Sequence, residues 1–219
     1  MTTHTPRGCF ISLEGLDGAG KSTHVPWLVD QLKARGLPVL CTREPGGTPL
    51  GEQLRQILLE TSMHLKTETL LMFAARCEHV NSVILPALEA GQWVVCDRFT
   101  DASYAYQGGG RQLGESAVHA LEQWAIPGIQ PDRTWLFDVP LEVARERLAR
   151  SRQLDRFEQE GEAFFQRTRQ AYHQRVQQQP HRFHLVDSTL PIEVVRSRLA
   201  AEVDALISRY DRDIEGDTP

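Results

Sequence analysis

The sequence predicts an α/β fold: a five-stranded parallel sheet with helices on both faces. Three observations carry that prediction. Short runs rich in β-branched and aromatic residues recur along the chain, stretches of helical period separate them, and the first run leads into a glycine-rich loop that opens a helix. Strands joined by helical crossovers pair in parallel and are buried on both faces. The strands are expected at Cys9–Glu14, Pro38–Thr42, Trp93–Asp97, Thr134–Val139 and Arg182–Asp187.

In chain order, the first strand ends at the loop LEGLDGAGKST, residues 13–23. Gly15, Gly20, Lys21 and Ser22 stand in the spacing GxxxxGK(S/T), the signature of a loop whose backbone N–H groups cradle nucleotide phosphates at a helix start. Gly15, Leu16, Asp17, Gly18, Ala19, Gly20, Lys21, Ser22 and Thr23 are therefore the candidate ATP-binding residues. Lys21 would reach the β and γ phosphates, and the Ser22 hydroxyl would hold Mg²⁺, a cation that keeps most of its waters and needs few protein ligands. In the following helix Leu28, Val29 and Leu32 share a face, and Gly36 is placed to end it. Pro26 removes a backbone donor from that helix, so a local kink is expected there.

Leu50, Leu54, Ile57 and Leu58 form a second helical stripe, and helical period resumes from about Thr67 to Glu89. The third strand, WVVCD, closes on Asp97, with Arg98 directly after it. Open parallel sheets bind ligands beyond the carboxyl ends of their strands, where Glu14 and Asp97 both stand. Asp97 can support Mg²⁺ or its waters there, while the planar donors of Arg98 suit a phosphate. Further helices are expected at Glu115–Trp124, Glu142–Arg150, Glu162–Gln178 and Ile192–Tyr210. With no repeat, low-complexity segment or separating linker, the chain reads as a single domain over 1–219, frayed at 1–7 and 211–219.

Composition sets limits on partners. Of the 219 residues, 41% are hydrophobic and 24% charged, ordinary for a globular protein, and no apolar run approaches the length that spans a bilayer. The N-terminus MTTHTPRG lacks the basic start and apolar core of a secretion signal. Net charge of −5 gives no general attraction for nucleic acid or an anionic membrane, so neither is expected as a partner. The four cysteines show no CxxC pairing, which fits a reducing cytoplasm.

The blocks LEGLDGAGKST, TREPGGT (42–48), LLMFAAR (70–76), CDRFTDASYAYQGGGR (96–111) and LDRFEQE (154–160) occur in an order and spacing that closely resembles the bacterial thymidylate kinases. The resemblance covers most of residues 9–165, and TREPGGT with AYQGGGR is far more selective than the phosphate loop alone. It implies a P-loop NTPase fold with a mobile lid at about 145–160 and transfer of the γ-phosphoryl group of ATP to dTMP, giving dTDP and ADP for dTTP synthesis. It also implies Mg²⁺ with the ATP, and a homodimer to which the helix at 68–89 contributes.

By the same resemblance, Phe73 stacks on thymine and Arg76 donates to a base carbonyl, with Ser103 and Gln107 at the base edge. Tyr106 lies against the sugar and excludes a 2′-hydroxyl, Asp17 sits near the 3′-hydroxyl and acceptor phosphate, and a cis bond precedes Pro45. Arg98 would hold the acceptor phosphate in line. Phe73 and Arg76, three apart on a helix, share a face, although an isolated phenylalanine in an apolar helix is also an ordinary core aromatic.

In RERLARSRQLDR, Arg145 and Arg147 read as a solvated helix face balanced by Glu142 and Glu146. None of the variable loop positions Leu16, Asp17, Gly18 and Ala19 is basic, and the resemblance assigns the missing catalytic cation to the lid, as Arg150 or Arg152. A glycine expected near Arg152 is absent, so the choice between the two stays open. The loop after Asp187 is the expected place for adenine contacts. Rival readings are a kinase for another nucleotide or nucleoside and a nucleotide-dependent switch, but the NKxD signature of a GTP switch is missing.

Overall fold

The computed structural model describes residues 6–149 and 155–216. Five strands, β1 (Phe10–Glu14), β2 (Val39–Arg43), β3 (Trp93–Asp97), β4 (Arg133–Asp138) and β5 (Phe183–Asp187), form one parallel sheet in the order β2-β3-β1-β4-β5. Each lies within one residue of its sequence-based bounds. The expected α/β fold, a five-stranded parallel sheet wrapped by helices, is the one observed.

Alternation along β1 explains the layers. Ile11 and Leu13 point to one face, where they pack with Leu28 and Leu32 of α1 (Lys21–Ala34) and Leu199 and Val203 of α9 (Ile192–Gly216). Phe10 points to the other and meets Val80, Ile84, Leu88, Val94 and Phe99. Burying each such side chain contributes about 1.5–3 kcal/mol.

Register positions the site. Leu13 of β1, Arg43 of β2 and Asp97 of β3 are level across the sheet. The next residues, Glu14, Glu44 and Arg98, therefore leave its carboxyl edge side by side. Backbone bonds carry the ladder one step further, from Arg98 N–H to Leu13 O at 3.0 Å and from Glu44 N–H to Asp97 O at 3.0 Å.

Several elements depart from the sequence-based expectation. In place of one helix at 67–89 there are α3 (Leu65–His79), a π-helical turn (Val80–Ile84) and α4 (Leu85–Glu89). The wide turn ends where Pro86, which has no N–H and whose ring would crowd the carbonyl four residues back, enters the next helix. Helix α2 (Pro49–Glu60) starts on Thr48, whose hydroxyl accepts the Gly51 N–H at 2.9 Å.

The sequence marks no element at 100–110, yet the segment is helical: α5 (Thr100–Ser103), then a π-helical stretch (Tyr104–Gly110). Its glycines are poor helix formers, but α8 (Glu162–Gln178) passes very close. A Cβ on Gly109 would come within 2.6 Å of the Ala171 Cβ, and one on Gly110 within 2.4 Å of the Thr168 hydroxyl. Close packing thus overrides propensity, and it holds Tyr106 and Gln107 at the sheet edge.

Contacts hold described residues close to both ends of the chain. Gly8 N–H donates to Leu88 O at 2.7 Å, the Tyr210 hydroxyl donates to Arg7 O, and α9 extends to Gly216. Helices α6 (Glu115–Ala125) and α7 (Leu141–Ala149) complete the described elements.

Candidate active site

The phosphate loop is shaped by close approach. Gly15 has φ 136°, and a Cβ there would sit 2.3 Å from Phe137 O; Gly20, at φ 97°, caps α1. Lys21, buried, donates from Nζ to Gly15 O and Leu16 O at 2.9 Å each. Burial, and next the Arg98 charge, lower its pKa to about 8.

This loop floors a cleft of about 1110 Å³ whose walls include Gly20, Lys21, Ser22, Asp97, Arg98 and Arg147. A second cavity lies alongside, lined by Met72, Arg76, Ser103, Tyr106 and Gln107 among others. Asp17, Glu44, Arg55 and Arg98 line both spaces, so the two meet at the strand tips.

Arg98 is the hub. Its φ of 72° puts a non-glycine residue in the left-handed region, at a cost of about 1–2 kcal/mol. Its Nη2 donates to Asp17 Oδ1 at 2.6 Å and to the Tyr106 hydroxyl at 3.1 Å, while Nη1 donates to Gly15 O at 2.9 Å and to the Tyr172 hydroxyl at 3.2 Å. The Tyr106 hydroxyl in turn donates to Asp17 Oδ2 at 2.7 Å. Burial favours the protonated form of Asp17, yet Arg98 and then Lys21 hold its pKa down to about 2.

The second cavity has a fixed polar wall. Arg76, buried, donates from Nε to Glu44 Oε2 at 2.6 Å, from Nη1 to the Ser103 hydroxyl at 2.9 Å and from Nη2 to Phe99 O at 3.1 Å. His79 Nδ1 stands 3.1 Å from the other Glu44 oxygen. Gln107 Nε2 donates to Glu68 Oε1 at 2.9 Å, which leaves its carbonyl oxygen as the acceptor it can offer. The Glu44–Pro45 peptide bond is cis, and Pro45 lines the cavity.

Phe73 corrects the sequence-based placement. It is 2% exposed and packs with Tyr104 and Val118, behind Arg76 rather than beside the cavity. Met72, four residues before Arg76 and hence also on its face, lines the cavity instead. Both positions satisfy helical spacing, so the spacing could not separate them. We expect Phe73→Ala to destabilise the fold by about 3–5 kcal/mol, read as a lower urea midpoint. A variant as stable as the parent would remove Phe73 from the core.

Two further residues differ from the expectation. Arg147, read as solvated, donates to Ser188 O at 2.8 Å and lines the phosphate cleft, because α7 lies over the loop and a Cβ on Gly20 would come within 3.7 Å of its Nη1. Arg145 stays at the surface, facing Glu162 at 3.3 Å. Arg55, not singled out from sequence, sits between the two spaces and donates to Pro45 O at 2.9 Å. The only sequence signal for it was a charged residue between the apolar stripe positions Leu54 and Ile57. Arg150 and Arg152 lie outside the described residues.

Comparison with known proteins separates the candidate classes. The family model described as thymidylate kinase matches residues 13–199, most of the chain. The chain belongs to the thymidylate kinase family. It is 68% identical over 205 residues to a thymidylate kinase of Bordetella pertussis, covering 94% of this chain and 99% of that protein. Thymidylate kinases of Bordetella petrii (64% over 202 residues, 92% and 98% covered) and Cupriavidus necator (60% over 195 residues, 88% and 96% covered) are also similar.

A thymidylate kinase site that binds Mg²⁺ through ATP phosphates needs few protein ligands, and this one fits. Asp97 Oδ1 is buried with no hydrogen-bond partner among the described residues, and Ser22 lines the same cleft. No cluster of three or more His, Cys, Asp or Glu side chains suited to a metal occurs among the described residues. No helix among them is long and apolar enough to cross a membrane.

Proposed function

We propose that this chain transfers the γ-phosphoryl group of ATP to dTMP, giving dTDP and ADP, with ATP over the phosphate loop and dTMP in the adjoining cavity. The observation that carries the reading is the shared wall of Asp17, Glu44, Arg55 and Arg98, where phosphates from both sides would meet. Such a transfer depends mainly on positioning and charge stabilisation, and the acceptor phosphate is already a nucleophile.

In this reading Lys21 and the N–H groups of residues 15–23 bind the ATP phosphates, and Arg98 with Arg55 aligns the acceptor phosphate. Ser22 and Asp97 would hold Mg²⁺, which supplies positive charge to the β- and γ-phosphoryl oxygens when bound. Arg76 donates to the base, Gln107 accepts from it, and Ser103 orients Arg76 through their hydrogen bond. Tyr106, fixed by Asp17, faces the sugar. Arg147 and the segment after Asp187 flank the ATP, and a lid arginine, Arg150 or Arg152, adds charge to the transferring group.

A panel of dTMP, dUMP, dCMP, AMP and thymidine with ATP tests the reading. ADP release should become rapid only on adding dTMP; equal release without an acceptor would point to a nucleotide switch. Met72→Ala should raise the KM for dTMP about tenfold while leaving that for ATP near the parent value. Equal changes for both substrates would remove Met72 from the base site.

We further propose that the enzyme works in the cytoplasm as a homodimer. Its four cysteines are all free thiols, and α3 leaves Leu70 54% exposed. Light scattering that returns a single-chain mass would overturn the dimer.

A further inference from the structure

We propose that Glu14 is a positioning residue for phosphoryl transfer, fixing both the backbone and the guanidinium of Arg98 from beneath the site. The inference rests on the dTMP kinase reading, in which Arg98 meets the acceptor phosphate. Glu14 ends β1, is 0% exposed and lies outside the walls of both cavities. Its Oε1 accepts the Phe99 N–H at 2.7 Å, directly after the left-handed turn at Arg98. Its Oε2 accepts the Tyr172 hydroxyl at 2.9 Å, and the Tyr172 oxygen accepts Arg98 Nη1 at 3.2 Å. One carboxylate thus anchors the peptide on one side of Arg98 and, through a phenol, the far end of its side chain.

Folding alone does not account for an acid at this place. Burial, with the Asp101 carboxylate close by, pushes its pKa up to about 8, so the ionised form weighs against stability and dominates only above that pH, where the kinetic comparison below is made. What the carboxylate provides that a neutral group cannot is acceptance at both oxygens. Glutamine would keep one acceptor for Phe99 but turn an N–H₂ toward Tyr172, whose hydroxyl then has no acceptor in Glu14 and whose oxygen must take two donors. Tyr172 is itself a second positioning residue, since its ring is 1% exposed and only its hydroxyl joins Glu14 to Arg98.

The test is steady-state kinetics of the full chain with dTMP and ATP varied separately, for the parent, Glu14→Gln, Tyr172→Phe and the double variant. Glu14→Gln should lose about tenfold to a hundredfold in kcat/KM for dTMP, with the KM for ATP within about twofold of the parent. Tyr172→Phe should show the same split at about fivefold, and the double variant should be no worse than Glu14→Gln, because both act through one relay. Tyr172→Phe carries the test by itself if Glu14→Gln does not fold. Parental kinetics in either soluble variant, or equal losses toward ATP and dTMP, would overturn the proposal while leaving the functional reading intact. Should the parent fail to phosphorylate dTMP, both fall together.

Discussion

Arg98→Ala is expected to lower kcat/KM for dTMP by about a hundredfold or more, roughly 3 kcal/mol of transition-state stabilisation. Two losses combine. The guanidinium that would meet the acceptor phosphate is gone, and Asp17 loses its nearest counter-charge, the Arg98 Nη2 that stands 2.6 Å from its Oδ1. Arg98 is the largest influence holding the Asp17 acid down to about 2 against the effect of burial. Without it a carboxylate faces the incoming phosphate, and like charges at that range repel. The double variant Arg98→Ala with Asp17→Asn should therefore recover part of the lost rate. An Arg98→Ala enzyme that turns over dTMP at the parent rate would refute the assignment.

How much of this was legible in the sequence depended on how local each signal was. The phosphate loop is a contiguous motif flanked by a strand and a helix, so its residues and their spacing were readable directly. The three central strands β3, β1 and β4 were equally plain, because central parallel strands are largely apolar runs, and the edge strands β2 and β5 were marked by their β-branched and aromatic residues. The stretch at 100–110 was not, since its helicity depends on α8 from 60 or so residues away in sequence pressing on Gly109 and Gly110. Helical spacing put Phe73 and Arg76 on one face, but it put Met72 there too, and only the position of α6 decides which of them meets the core. Arg147 carried no local mark, and Arg55 only that of a charge set between the apolar positions Leu54 and Ile57. A basic residue on an amphipathic helix usually faces water, and these two reach the cleft because α2 and α7 lie over the strand tips. Glu14 was visible as the last residue of its strand, yet its link to Arg98 passes through Tyr172, 158 residues further on.

Lys21→Ala should reduce kcat by about a hundredfold to a thousandfold, as expected when a preorganised cation at the transferring group is removed. The same lysine predicts a pH dependence whose sign follows from its surroundings. Burial first, and the Arg98 charge second, lower its pKa to about 8. Triphosphate binding brings negative charge to the ammonium and raises that pKa, so the complex holds a proton that the free enzyme gives up above pH 8. ATP binding must then take up a proton in that range, and affinity should weaken as pH rises through 8, by up to about tenfold per pH unit. Below pH 7 Lys21 is charged in both states and its contribution to the slope disappears. Calorimetric titration of ATP in buffers of different ionisation enthalpy measures the uptake directly, and Lys21→Ala should abolish it between pH 7.5 and about 9. A parent enzyme with constant ATP affinity across that window would mean that Lys21 does not change its protonation when the phosphates arrive, and so does not carry the charge assigned to it.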